Sequence, residues 1–213
     1  MILNTIVAEA MDAISDQMEK FSAKTFNADL QALLKKEISA HQRVIFNGDG
    51  YKAEWVKEAT KRGLPNLPST PEAIKPLLAK ENQKLFEKYG VLTKAELESR
   101  YEVFREDYER RLEIEARIAL EIAKSMIRPA VIKEYMAMQD AKGCAAIDSV
   151  KKEMGAALDE MSACIDALQK AIASGKGIIP AMTALRQKTD ALEAITDDSV
   201  WPLPKYREML FIC

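Results

Sequence analysis

His41 is the only histidine in this 213-residue chain, and that scarcity narrows the chemistry before any pattern is sought. A cysteine or serine nucleophile needs a general base, and a histidine metal site needs further ligands at fixed spacing. His41 has only Glu37 one helical turn before it, so it reads as an ordinary helix residue. Cysteine is equally sparse. Cys144, Cys164 and Cys213 are odd in number and far apart, which excludes a disulfide framework and suits reduced thiols in a cytoplasmic protein. No apolar run approaches the ~20 residues that span a bilayer, and the start from Met1 to Glu9 carries no basic leader. A soluble, untargeted chain with no membrane partner is expected. An excess of one charge is also missing: 31 basic against 33 acidic side chains leave a net charge of -2, too little to gather nucleic acid as a partner.

What the chain does have is helical periodicity. Hydrophobic residues make up 48% and charged residues 30%, a balance that suits a folded domain. Ile2, Ile6, Ala10, Ala13, Ile14 and Met18 recur three and four apart and predict a helix over residues 2–23. Asn27 can cap a second helix with Leu30, Leu33, Leu34, Ile38 and His41 on one face. The turn residues Asn47, Gly48, Asp49 and Gly50 then break the pattern and mark a domain boundary at 50. Residues 51–92 read as short helices and turns. One helix around Trp55 and Val56 ends at Gly63, the stretch from Leu64 to Pro68 turns a corner, Thr70 with Pro71 and Glu72 starts another helix, and Gly90 closes the segment.

From residue 93 to 213 a helical bundle is expected. Thr93 and Glu96 form a capping box that opens a long helix with a buried stripe at Leu97, Tyr101, Phe104 and Tyr108. Oppositely charged residues four apart, such as Glu113 and Arg117, support its exposed face. Pro129 interrupts this helix, but apolar residues resume at once, which predicts a kink and not a stop. After Gly143, Ile147, Val150, Met154, Ala157, Met161, Cys164, Leu168 and Ala171 alternate spacings of three and four. Leu158, Ile165 and Ile172 widen that seam beyond a two-stranded coiled coil, and Gly175 ends it. A shorter helix with Met182, Leu185, Leu192 and Ile195 follows Pro180, and Trp201 leads to a last turn ending in Leu210, Phe211 and Ile212. The expected class is all-α, with a long kinked helix antiparallel to the heptad-patterned one and shorter helices ahead of both.

The search for chemistry names no catalytic, cofactor-binding or metal residue. Asn47, Asp49 and Glu58 imitate a calcium loop, but Tyr51 stands where a ligand is needed and Lys52 where the loop needs glycine. Ser174, Gly175, Lys176 and Gly177 hint at a phosphate loop, yet they follow a helix and not a strand. Cys164 on the apolar seam is a small core residue, and the ten methionines serve as flexible core filling.

Several strings nevertheless resemble the type III glutamine synthetases. They are residues 3–10, residues 43–51 (Arg43 to Tyr51), Glu54-Trp55-Val56, residues 61–67 (Lys61 to Leu67), residues 85–91, residues 96–102, residues 129–132 and Trp201-Pro202-Leu203-Pro204. The resemblance implies that residues 1–50 are a helical remnant of the end of a catalytic domain and that the rest is the family's helical C-terminal extension. It implies a parent that makes glutamine from glutamate, ammonia and ATP with Mg or Mn, whose ligands lie upstream, so no active-site residue is carried onto this chain. It also implies, as partners, the remainder of that enzyme and other subunits of a homo-oligomer. Met1 falls where the family is mid-domain, which suggests an engineered start or a truncated reading frame. Lys52 departs from the family, where a helix-capping serine is expected. A free-standing helical adaptor, and a helical enzyme with a site assembled from distant carboxylates, remain open as alternatives.

Overall fold

Thr93 shows how closely the local rules hold. Its amide and hydroxyl both donate to Glu96 Oε2 at 2.8 Å while Glu96 N–H donates back to Thr93 Oγ1 at 3.3 Å, and helix α6, Lys94–Ile122, starts there. The computed structural model describes residues 1–139, 141 and 143–211; Ile212 and Cys213, for which a helical end and a reduced thiol are expected, lie outside them. Every regular element among the described residues is helical, so the all-α class holds. The chain divides into two units, Met1–Tyr108 and Glu109–Cys213.

The first unit holds α1 (Ile2–Met18), α2 (Phe26–Ala40), a 3-10 turn at Gln42–Val44, α3 (Ala53–Lys61), α4 (Thr70–Ala73), a 3-10 turn at Lys75–Leu78, α5 (Lys80–Lys88) and the start of α6. Helix α1 stops five residues short of the predicted end, where Phe21 and Phe26 meet edge to face at 6.0 Å across the turn. The cap of α2 is Thr25, not Asn27: Thr25 Oγ1 donates to Asp29 Oδ2 at 2.6 Å, which leaves Asn27 in the first turn. Ser69 likewise replaces Thr70 as the cap of α4, through its bond to Glu72 at 2.7 Å. Lys52 caps α3 without a side-chain bond, as a lysine must. Gly90 closes α5 with φ 61°, and Val91 N–H returns to Phe86 O at 3.0 Å. A small core of Phe86, Leu92 and Leu97 follows, but it ends there. Phe104 is 43% exposed, so the buried stripe predicted on α6 is shorter than its spacing suggests.

The second unit contains the end of α6, a π turn at Ala123–Ile127, α7 (Arg128–Ala137), α8 (Ala145–Ser174), α9 (Ile178–Glu193) and α10 (Tyr206–Leu210). The π turn ends two residues before Pro129, whose missing amide hydrogen would leave a gap in the ladder. The shifted bonding lets the helix pass the proline without stopping. Helix α8 runs back along it: Lys124 Nζ donates to Gln169 Oε1 at 2.7 Å, the Tyr135 ring lies against Gly155, and Lys151 Nζ donates to Ala141 O at 2.8 Å. Gly175 and Gly177, at φ 66° and 69°, make the tight turn into α9, which starts at Ile178 and holds Pro180 in its first turn. Lys188 then pairs with Glu160 at 2.7 Å across the hairpin. The core joins Ala116, Ile127 and Val131 to Met154, Met161, Ile165 and Leu168 of α8, Leu185 and Leu192 of α9, and Trp201. Burial of each larger side chain contributes about 1.5–3 kcal/mol. The predicted seam turns inward at Met154, Met161 and Leu168, whereas Val150, near its start, is 38% exposed.

Candidate functional site

Two clusters of polar and aromatic side chains stand out in the first unit, and both tie elements together. In the first, Glu9 and Asp12 lie three residues apart and hence on one face of α1. Lys88, the last residue of α5, donates to Glu9 Oε2 at 2.9 Å and to Asp12 Oδ2 at 3.0 Å. The phenol of Tyr89 lies 2.6 Å and 2.7 Å from the same two oxygens. Its single hydrogen serves one carboxylate at a time, while Lys88 has three to share. The hydrogen bonds from Tyr89, then those from Lys88, hold both carboxyls below their ordinary range. In return the bond to Glu9 and desolvation push Tyr89 up to about 12, and the same carboxylates, Glu9 first, raise Lys88.

The second cluster orders the loop before α3. Phe46 stacks on Trp55 at 4.3 Å between centroids, and the Arg62 guanidinium lies 5.9 Å and 5.7 Å from the two rings. Arg62 also donates to Ile45 O at 2.8 Å and to Glu58 Oε1 at 2.8 Å, which lowers the Glu58 carboxyl. A β-carbon at Gly48 would meet the Phe46 ring at 2.4 Å, so glycine is what allows this loop to fold under the stack.

The groups weighed from the sequence do not converge. His41 is largely exposed, and its Nδ1 lies 2.8 Å from Glu37 O in its own helix. Asp49 Oδ1 accepts from Tyr51 N–H at 3.0 Å as a turn residue, and Glu58 is held by Arg62, so the would-be calcium ligands serve separate local tasks. The stretch from Ser174 to Gly177 is a helix-to-helix turn in which Ser174 Oγ donates to Ala171 O at 3.2 Å. Cys164 is half-buried on α8. Cys144 is exposed at the start of α8, where the Ile147 and Ala146 amides lower its thiol. Among the described residues no group of three or more His, Cys, Asp or Glu side chains could hold a metal ion. The carboxylates of Glu9 and Asp12 come closest to a donor pair, and they are taken by an ammonium and a phenol. Sequence reasoning missed this clasp. Its one signal was the three-residue spacing of the two acids, and nothing local points to Lys88 and Tyr89 some 80 residues on.

Comparison with known proteins fits the helical build. Residues 29–143 match the glutamine synthetase C-terminal domain. The chain is 31% identical over 240 residues to the type-3 glutamine synthetase of Dictyostelium discoideum, a match covering 99% of this chain and 33% of that protein. It is 30% identical over 222 residues to the glutamine synthetase of Butyrivibrio fibrisolvens and 28% identical over 239 residues to that of Bacteroides fragilis. These matches cover 93% and 98% of this chain, and 32% and 33% of those enzymes. The chain thus spans about a third of the length of its relatives, and with more than half of its residues matching that domain it belongs to the glutamine synthetase C-terminal domain family.

Proposed function

We propose that this chain is the helical C-terminal part of a glutamate–ammonia ligase and that it serves assembly, with no active site of its own. The observation that carries this reading is the position of α1. The family match begins at residue 29, so α1 lies ahead of the C-terminal domain, yet Lys88 and Tyr89 clasp it to α5 inside that domain. Its other side is bare and apolar, with Leu3, Val7 and Met11 at 75%, 55% and 67% exposure. A helix held by its acidic face and open along an apolar stripe is a joint, and the preceding part of the enzyme is what it joins. In this reading the parent is a cytoplasmic homo-oligomer that ligates ammonia to glutamate at the expense of ATP. Its nucleotide and its Mg or Mn are held by residues outside this chain.

The joint is tested in the full-length parent with Val7→Asp and Met11→Asp together. Both side chains are exposed in this chain, so its own helix content stays unchanged, while assembly of the parent and its ligase activity fall together. A parent that assembles and turns over normally with both substitutions contradicts the joint.

A further inference from the structure

We infer that the loop over residues 45–52, with Tyr51 at its tip, is a second docking surface for the part of the enzyme that precedes this chain. The inference rests on the reading of α1 as the joint to that part, and it names a further contact of the same partner inside the C-terminal domain. The loop is braced from within. Phe46 stacks on Trp55, Arg62 donates to Ile45 O at 2.8 Å, and Gly48 lies so close to the Phe46 ring that a β-carbon would not fit. The tip is fixed as well, because Asp49 Oδ1 accepts from Tyr51 N–H at 3.0 Å and Lys52 N–H donates to Asp49 O at 3.3 Å.

What the bracing holds out is bare. Tyr51 is 103% exposed, so its whole ring stands in water, and Val44 and Ile45 at the start of the loop are 54% and 46% exposed. Ordering a loop costs conformational entropy, and the tip gains no burial within this chain in return. A tyrosine held ready on a fixed loop has what a binding anchor needs: a large ring with two rotatable bonds loses little freedom on docking, and its hydroxyl adds a hydrogen bond. The occupant follows from where the rest of the enzyme lies. The matched stretch is only 33% of the Dictyostelium discoideum relative, so the greater part of such an enzyme is outside this chain, on the far side of α1. Helix α2 is bonded to α1 through Lys36 and Gln17 at 3.0 Å, and the chain passes from α2 through one 3-10 turn into the loop. The loop therefore follows the joint closely along the chain, and what it takes is an apolar pocket of that preceding part with an acceptor for the Tyr51 hydroxyl.

The test places photoreactive p-benzoylphenylalanine at position 51 of the full-length parent and identifies the cross-linked peptides by mass spectrometry. The expected peptide comes from the preceding part. A second measurement needs no substitution: tetranitromethane nitrates Tyr51 at least roughly tenfold more slowly in the parent than in this chain alone, because a docked ring reacts only when the contact opens. Cross-links confined to this chain's own sequence, cross-links to an unrelated protein, or equal nitration in the two overturn the proposal. The joint is read separately, by assembly of the parent with Val7→Asp and Met11→Asp. If those substitutions block assembly while Tyr51 is unprotected in the unsubstituted parent, this surface falls and the joint stands; if they do not and Tyr51 is cross-linked and protected as expected, the joint falls and the surface stands.

Discussion

Tyr89 Oη lies 2.6 Å from Glu9 Oε2, joining α5 to a helix that precedes it by some 80 residues. With Lys88 and Asp12 it clasps α1 to α5, in addition to the bond from Lys36 to Gln17 of α1, so its loss should loosen α1 and leave the rest folded. In Tyr89→Phe with Lys88→Met, the amides of α1 should exchange with solvent roughly tenfold faster or more, while those of α8 and α9 keep their protection. Unchanged exchange in α1 would mean that its other contacts, the Lys36–Gln17 bond among them, hold it.

The same contact sets a pH window. Glu9 and Asp12 have folded pKa values below their ordinary 4.5 and 3.8, so their contribution is present above those values and disappears as pH falls through the lower folded ones. Tyr89 is raised from 10.0 to about 12, so its contribution is complete below pH 10 and fades as pH climbs toward 12. Protection of α1 should therefore be flat between about pH 5 and 10 and fall at both ends. The double variant should show neither edge.

Gly48 tests the aromatic stack. Alanine there puts a methyl group 2.4 Å from the Phe46 ring, so Phe46 must leave its place on Trp55. Gly48→Ala should lower stability by about 1–3 kcal/mol and change the tryptophan emission, as expected for forced overpacking. The emission of a Trp55→Phe background should not respond.

The seam of α8 offers a contrast between two apolar positions that look alike in sequence. Met161 is fully buried and Val150 is 38% exposed. Met161→Ala should cost about 2–5 kcal/mol in denaturant unfolding, and Val150→Ala about 0.5 kcal/mol or less. Equal costs would show that Val150 is covered in solution.

The long helices were legible because their signals are local. Thr93 and Glu96 sit within one turn, the seam repeats every three or four residues, and Gly175 takes the left-handed conformation that ends a helix. Periodicity predicts a face and not what covers it. Phe104 lies on the predicted stripe of α6 and Val150 on that of α8, and both are exposed because no neighbour reaches them. Caps at Thr25 and Ser69 instead of Asn27 and Thr70 were decided by which acid sits three or four residues on, Asp29 or Glu72. The π turn before Pro129 was readable only as an interruption, since sequence shows the missing amide but not how the ladder is repaired. The clasp was hidden for a different reason. Glu9, Asp12, Lys88 and Tyr89 are common surface residues, and only the fold brings them together.

We propose that this chain assembles an enzyme and does not itself catalyse. Phosphoryl transfer relies on positioned metal ions and cationic clamps, and the carboxylates here are engaged with lysine, arginine or tyrosine of the same chain at Glu9, Asp12, Glu58, Glu113 and Glu160. The direct measurement is phosphate release by the purified chain supplied with glutamate, ammonia, ATP and magnesium or manganese. No release above a control without protein is expected, while the full-length parent turns over under the same conditions. Release that co-purifies with the chain and is abolished by His41→Ala or by replacing Glu9 and Asp12 would contradict it.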